Sequence, residues 1–322
     1  MSKIVIVTGV SGYIGGQTAL LLKDAGYEVY GIDRREPPNH LRGVCNEFKY
    51  QDFASDVALS WIILKQPDAI IHCAGTSLVG PSITDPAEYY NNNVAKTLKL
   101  MDLVRRSLPR CRIVFSSSAA TYGEPVLGSC NEVDPGMPVS PYGESKLMID
   151  MMLESYRRAY NLDYVSFRYF NACGADPKGR HGQEPGATHV IAKYLEATRD
   201  DGNFKIYGDD YSTADGTCIR DYVHVDDIAR AHALALHHKI PAGIYNLGSN
   251  QGTSVKQVIE RAGTIVGKMP HIGTEARREG DPAELTANPA KFDLVAGAWR
   301  HHTLDDMIQH AWAWYVRKNQ TV

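Results

Sequence analysis

The stretch from Lys3 to Asp33 constrains this chain more than any other part of it. Lys3-Ile-Val-Ile-Val-Thr8 is an apolar, β-branched run, the pattern of a strand covered on both faces in a parallel sheet. It leads straight into Gly9-Val-Ser-Gly12-Tyr-Ile-Gly15, then into a helical pattern through Leu20, Leu21 and Leu22 that stops at Gly26. A second strand, Glu28-Val-Tyr-Gly-Ile-Asp33, ends on a carboxylate 18 residues after Gly15. Strand, glycine loop, helix, strand and acid are the parts of a dinucleotide-binding unit. The glycines let the turn close and the backbone approach a pyrophosphate, whose charge meets the helix N-terminus. Asp33 is placed to accept hydrogen bonds from the adenosine ribose, and its charge opposes a 2′-phosphate. Arg34 and Arg35 offer a counterweight, but Asp33 stands at the strand end itself, so the pattern predicts NAD rather than NADP.

The alternation continues. Asp68–His72 reads as a strand, Asp85–Arg106 as one long amphipathic helix containing Asn91-Asn-Asn93, and Arg112–Phe115 as a strand running into Ser116-Ser-Ser118. Pro141–Tyr160 is a helix and Tyr164–Arg168 a strand. Short connections between alternating β and α elements predict a Rossmann-type, doubly wound parallel sheet in an α/β fold. Asn171–Gly186 reads as loop. Asp221-Tyr-Val-His-Val and the acids after it read as one more strand and capped helix rejoining that sheet. From about residue 250 onward the pattern is mixed α+β and ends in a Trp-rich amphipathic helix, Leu304–Arg317. This gives a cofactor domain over 1–170 plus about 221–248, and a smaller nucleotide-sugar domain over about 171–220 plus 249–322.

Charge narrows the ligands. Among 322 residues, 34 Lys+Arg meet 37 Asp+Glu, a net charge of −3. A nucleic-acid or membrane-surface binder needs a basic excess that is missing here. Any bound anion must be met by a few placed arginines. No targeting signal or apolar span is legible, which predicts a cytoplasmic protein. The six scattered cysteines read as buried reduced thiols. His232, His237 and His238 lack the spacing of a helical metal site, and no metal is predicted.

Chemistry is carried by Tyr142-Gly-Glu-Ser-Lys146, which puts a phenol and an ammonium four residues apart on one helix face. Unit charges about 4 Å apart at an effective dielectric near 20 interact by roughly 4 kcal/mol. At 1.36 kcal/mol per unit, that brings a phenol from about 10 toward 7, where acid–base work is efficient. Ser118, ending the serine run, supplies a hydroxyl to bridge substrate and Tyr142.

These motifs resemble the extended short-chain dehydrogenase/reductases, nearly end to end. Thr8–Gly15, Phe115–Ser118 with Tyr122-Gly123, Ser140–Met148 and Arg168-Tyr-Phe-Asn171 carry the likeness. So do Asp215–Val225, Tyr245-Asn-Leu-Gly248 and Arg277–Asp281. Within that family the likeness is to enzymes that invert carbon 4 of UDP-sugars, and it implies the following. Tyr142, helped by Ser118, takes the 4-hydroxyl proton while hydride passes to tightly held NAD; a 4-keto sugar turns over and the hydride returns to its other face. Lys146 binds the nicotinamide ribose. Gly9, Gly12, Tyr13, Ile14 and Gly15 meet the pyrophosphate, Asp33 and Arg34 the ribose, and Asp52 and Phe53 the adenine. Cys73, Ala74, Gly75, Ser77, Asn93, Ser116 and Phe170 line the inner pocket. Asn171, His189, Val190, Lys205, Ile206, Tyr207, Arg220, Arg278 and Asp281 hold the UDP-sugar, and the two guanidinium forks suit diphosphate oxygens. A homodimer through the helices at 85–106 and 141–160 is also implied.

Three positions depart from the family pattern. Ser77 stands where some members carry Lys, His189 where several carry Asn, and Leu285 where a residue screens the sugar's 2-substituent. Leu is intermediate there, so N-acetylated hexoses and pentoses stay open beside UDP-galactose and UDP-glucose. A 4,6-dehydratase needs an acid and a base after the Ser118 position, and Ala119 and Ala120 can transfer no proton. A simple reductase or dehydrogenase remains as an alternative. A catalytically idle NAD sensor would be free to lose Tyr142, Lys146 or Ser118, and all three are present.

Overall fold

Val5 and Val7 point to one side of the first strand and Ile6 to the other, and all three are fully buried. A strand covered on both faces belongs inside a parallel sheet with helices on either side, and the computed structural model has that arrangement. It describes residues 3–125, 128–237, 239–278 and 280–318.

The chain runs β1 (Ile4–Thr8), α1 (Tyr13–Asp24), β2 (Glu28–Asp33), β3 (Glu47–Tyr50), α2 (Asp56–Lys65) and β4 (Ala69–His72). Next come α3 (Val79–Thr84), α4 (Pro86–Tyr89), a π-helical turn at Tyr90–Ala95, and α5 (Lys96–Ser107). β5 (Arg112–Ser118), β6 (Ser129–Cys130), α6 (Pro141–Tyr160), β7 (Tyr164–Tyr169) and β8 (Asn171–Cys173) follow. The remainder is α7 (Val190–Arg199), β9 (Asn203–Tyr207), β10 (Ile219–His224), α8 (Val225–Ala235), β11 (Gly243–Leu247), β12 (Gly252–Ser254) and α9 (Val255–Val266). It closes with β13 (His271–Glu275), β14 (Glu284–Ala287), α10 (Ala290–Ala296) and α11 (Leu304–Lys318).

Seven strands form the main sheet in the order β11-β7-β5-β4-β1-β2-β3, every pair parallel. The strand order reverses between β1 and β4, which opens a crevice at their C-terminal ends. A second sheet, β12-β10-β14-β6 with β8 beside β10, and a β13-β9 pair lie apart from it. Their helices α7, α9 and α11 enclose a separate core around Tyr194, Val258 and Ile308.

Asn171–Gly186, expected as loop, opens on the short strand β8, and two further elements differ from the sequence reading. The strand at 219–224 does not rejoin the main sheet: it pairs with β8 at Tyr222↔Asn171 and with β14 at Arg220↔Leu285. The cause is local. Phe170, buried between β7 and β8, breaks the strand and donates its N–H to the Leu247 carbonyl at 3.1 Å, so β11 takes the edge of β7 and β10 follows β8. What returns is α8, packed on α1, and then β11. The second difference is the π turn that interrupts the helix over 85–106. π turns recur at functional sites because the wider turn re-aims side chains; here it buries both Asn92 and Asn93.

Of the six cysteines, all unpaired, Cys111, Cys130 and Cys173 are buried, while Cys45, Cys73 and Cys218 are partly exposed. Among the described residues no helix is long and apolar enough to cross a membrane.

Candidate active site

The glycine loop is built for close approach. Gly9 has φ of +72°, in the left-handed region, and a Cβ there would sit 2.7 Å from the Ala74 nitrogen in the loop after β4. A Cβ on Gly15 would sit 2.3 Å from the Gly9 carbonyl oxygen. Gly12 caps α1 with no side-chain hydrogen bond, and the first turn of α1 carries no acidic residue. An uncapped helix start at the mouth of the crevice fits a pyrophosphate. The Tyr13 side chain is turned away, its hydroxyl donating to the Gly174 carbonyl at 2.7 Å, and Ile14 packs on the core; only their backbone faces the loop. Asp33 accepts the Ser11 N–H at 3.0 Å and the Arg35 N–H at 2.9 Å, which ties the acid to the loop. Arg34 is exposed.

Behind the loop, Asn93 accepts the Thr76 N–H at 2.8 Å and donates to Ser145 Oγ at 2.9 Å. A Cβ on Gly75 would sit 2.8 Å from Asn93 Oδ1 and 3.9 Å from Lys146 Nζ, so this loop, Asn93 and Lys146 share one wall. Ser116 Oγ lies 3.0 Å from Cys73 Sγ and accepts from the Tyr169 hydroxyl at 2.9 Å. Phe53 is buried against the His72 ring, and Ser77 is exposed at the far end of its loop.

Lys146 and Tyr142 sit on the first turns of α6, which Ser140 caps by accepting the Gly143 N–H, with Pro141 at the first helical position. Lys146 is buried. It donates to the Ser116 carbonyl at 2.8 Å and lies 4.8 Å from the centre of the Phe115 ring. Burial pushes its ammonium down to about 8. The ammonium is 5.8 Å from the centre of the Tyr142 ring. Burial pushes the Tyr142 phenol above its ordinary value, and the Ser118 hydroxyl pulls it back. The expected depression of this phenol by Lys146 is therefore not found in the chain alone. Burial disfavours the charged phenolate, and the Lys146 ammonium spends its hydrogen bond on the Ser116 carbonyl rather than on the phenol oxygen.

The substrate-side residues form a second wall. Arg220 lies 3.5 Å from Asp281, and the Arg278 guanidinium stacks 3.9 Å from the centre of the Tyr207 ring. Asn171 donates to the Asp221 carbonyl at 2.8 Å. Leu285, paired with Arg220 across β10 and β14, packs on the cluster of Ala119, Tyr122 and Phe170 beside Ser118. Lys205 pairs with Glu275 at 2.7 Å. The Ile206 side chain is not brought to this wall. It is buried in the second core, because β9 alternates and the outer face carries Asn203, Lys205 and Tyr207. Val190 begins α7 and packs on the same core; His189, at its N-cap, is exposed.

Sequence reasoning missed several members. Tyr169, Thr76 and Lys96 join the site through contacts far apart in the chain, which no local spacing signals. It also missed the histidines at 224, 302 and 310, whose donor atoms lie within reach of one ion. The bonding of His224 argues against that use. Its Nδ1 accepts the Asp226 N–H at 2.9 Å, so its proton lies on Nε2, 3.0 Å from His310 Nδ1, and neither nitrogen is left for a metal. His232 is buried and bonded to the Tyr169 hydroxyl, and His238 lies outside the described residues.

Comparison with known proteins agrees with this geometry. Residues 5–248 match the NAD dependent epimerase/dehydratase family. The chain is 42% identical over 320 residues to a UDP-glucose 4-epimerase of Halalkalibacterium halodurans, covering 97% of this chain and 95% of that one. A crystal structure of UDP-glucose 4-epimerase from Brucella ovis in complex with NAD is 38% identical, with a TM-score of 0.90 over 97% of this chain and 98% of that one. One from Stenotrophomonas maltophila, with bound NAD and formylated UDP-arabinopyranose, is 27% identical, with a TM-score of 0.93 over 99% of this chain and 100% of that one.

Proposed function

This chain belongs to the NAD dependent epimerase/dehydratase family, and on that premise we propose that it is an NAD-dependent isomerase inverting carbon 4 of a UDP-hexose, interconverting UDP-galactose and UDP-glucose. The observation that carries the reading is the meeting of Tyr142, Ser118 and buried Lys146 at the crevice that the glycine loop enters.

Gly9, Gly12, Gly15 and Asp33 fit NAD: two positions where a Cβ would strike backbone, an uncapped helix start, and an acid locked beside them. When bound, NAD supplies a hydride acceptor and a positive ring that favours a neighbouring phenolate. Lys146 and Asn93 hold the inner end of the pocket. Tyr142 takes the proton from the sugar's 4-hydroxyl and gives it back to the same oxygen after the ketone has turned over; Ser118 passes it and steadies the ketone oxygen between the two steps. Arg220 and Arg278 grip the diphosphate, Arg220 exchanging part of its contact with Asp281 for phosphate oxygen. The two methyls after Ser118 offer no group for dehydration, and Ala119 is buried in an apolar cluster.

We divide the chain by sheet membership. The cofactor half is 1–170 with α8 and β11, and the nucleotide-sugar half is the rest, with β10 now on that side. We also propose that the protein works in the cytoplasm, a reducing compartment that suits its six unpaired cysteines. We further propose a homodimer through the helices at 85–106 and 141–160, where α5 and α6 expose Leu98, Met148 and Met151, the last 63% exposed. A light-scattering mass equal to one chain would refute it. For the function itself, purified protein given UDP-galactose should form UDP-glucose without added reductant. Net NADH release with no epimer would overturn the reading.

A further inference from the structure

One ion pair at the rim of the crevice is unused by the chemistry above. Asp52 lies just past β3, beside Asp33, where the Gln51 N–H donates to the Asp33 carbonyl at 2.9 Å. In a doubly wound sheet this side of the switch point takes the adenosine half of a dinucleotide. The Asp52 carboxylate is gripped from two directions. Oδ1 accepts the Ala54 N–H at 3.0 Å, and Oδ2 accepts from Lys96 Nζ at 2.6 Å. Neither side chain is sealed away: Lys96 is 21% exposed and Asp52 27%.

Lys96 is itself held in place. Its Nζ also donates at 2.6 Å to Asn92 Oδ1, an oxygen that the π turn brings inward. The next residue, Thr97, bonds to His72 at 2.9 Å and so anchors the start of α5 to β4. A flexible lysine bound by two oxygens has lost the rotamer freedom it would keep on an open surface. The carboxylate it holds keeps lone pairs in fixed directions, able to accept but not to donate.

We propose that Lys96 is a positioning residue for the cofactor's base, locking Asp52 so that it accepts from the exocyclic amine of adenine and disfavours hypoxanthine, which presents a carbonyl there. This rests on the reading that the chain binds NAD. Without Lys96 only the Ala54 N–H on Oδ1 still holds the carboxylate, Oδ2 swings about that bond, and the discrimination made by one charge-assisted hydrogen bond, roughly tenfold, is lost.

The test is an exchange competition. Holoenzyme is equilibrated with an equimolar excess of NAD and its deaminated analogue, nicotinamide hypoxanthine dinucleotide, and the bound nucleotides are released and quantified. The wild type should retain NAD over the analogue by roughly tenfold or more. Lys96→Met should bring the ratio within about threefold, and Lys96→Arg should restore it. A merely structural role would weaken both nucleotides alike and leave the ratio unmoved, and that outcome overturns the proposal. Lys96→Gln, which keeps a donor of similar length, covers the case in which the Met variant does not fold. A wild type that binds neither nucleotide overturns the NAD reading itself.

Discussion

Tyr142→Phe is expected to lower the rate of epimerisation by about 10³-fold or more while leaving the fold and cofactor retention intact, since positioned acid–base groups contribute 10²–10⁴. The substitution removes one oxygen and no ring, and the edge-on contact with Tyr89, 6.4 Å between ring centres, is kept. Loss of stability should stay within about 1 kcal/mol. The pH dependence follows from the same site. Burial raises this phenol above its ordinary value, so in the chain alone the proton-accepting form grows on the alkaline side, and the positive ring of bound NAD moves that rise to lower pH. Ser118 pulls the phenol down, so Ser118→Ala should move the rising limb of kcat/KM to higher pH as well as lower the rate. Steady-state kinetics of the two variants across pH reads both effects. A Tyr142→Phe enzyme within tenfold of wild type would remove this residue from the reaction.

The second large effect runs in opposite directions for activity and stability. Lys146→Met should cost about 10²-fold or more in rate, because the ammonium that organises the inner pocket is gone. It should also make the protein more stable at neutral pH. The Lys146 ammonium falls from an ordinary 10.5 to about 8 on burial. Between those values the unfolded chain binds more protons than the folded one, so stability rises with pH across that window; below about pH 8 the full cost of burying the charge is present. That cost is at most about 3 kcal/mol, and the Ser116 carbonyl left without its donor returns about 1 kcal/mol of it. A gain of about 1–2 kcal/mol, a few degrees in Tm, should remain. Denaturant unfolding at pH 7 and pH 9.5 checks the sign: the rise in stability attributable to Lys146 should vanish in the variant. An equal rise in both proteins would place the charge outside the folded core.

The parts of this molecule legible in its sequence are those encoded over short distances. The strand–glycine–helix–strand unit is one, and the phenol and ammonium four residues apart on a helix are another, because a single strand or helix period settles which side chains meet. The alternation of β9 was equally available, and it places Ile206 in the core although the resemblance puts the whole segment at the ligand. Other features depend on contacts no period reveals. The transfer of β10 to a second sheet follows from the break at Phe170 and the claim of β11 on the edge of β7. Lys96 meets Asp52 from 44 residues away, and Arg278, just past the end of β13, meets Tyr207 at the end of its partner strand β9. At Tyr142 a helix spacing and a dielectric predict a lowered phenol, but burial, which no spacing reveals, decides the sign.

The most direct test follows the hydrogen on carbon 4. UDP-galactose carrying deuterium at that carbon is converted by the purified protein in ordinary water, and the UDP-glucose formed is examined by NMR and mass spectrometry. If Tyr142 moves only the hydroxyl proton while the hydrogen on carbon leaves and returns within the closed site, the product keeps its deuterium at carbon 4 and solvent contributes none. Deuterium washed out to solvent during epimerisation would contradict the account, because carbon 4 would then be inverted by proton exchange rather than by oxidation and return.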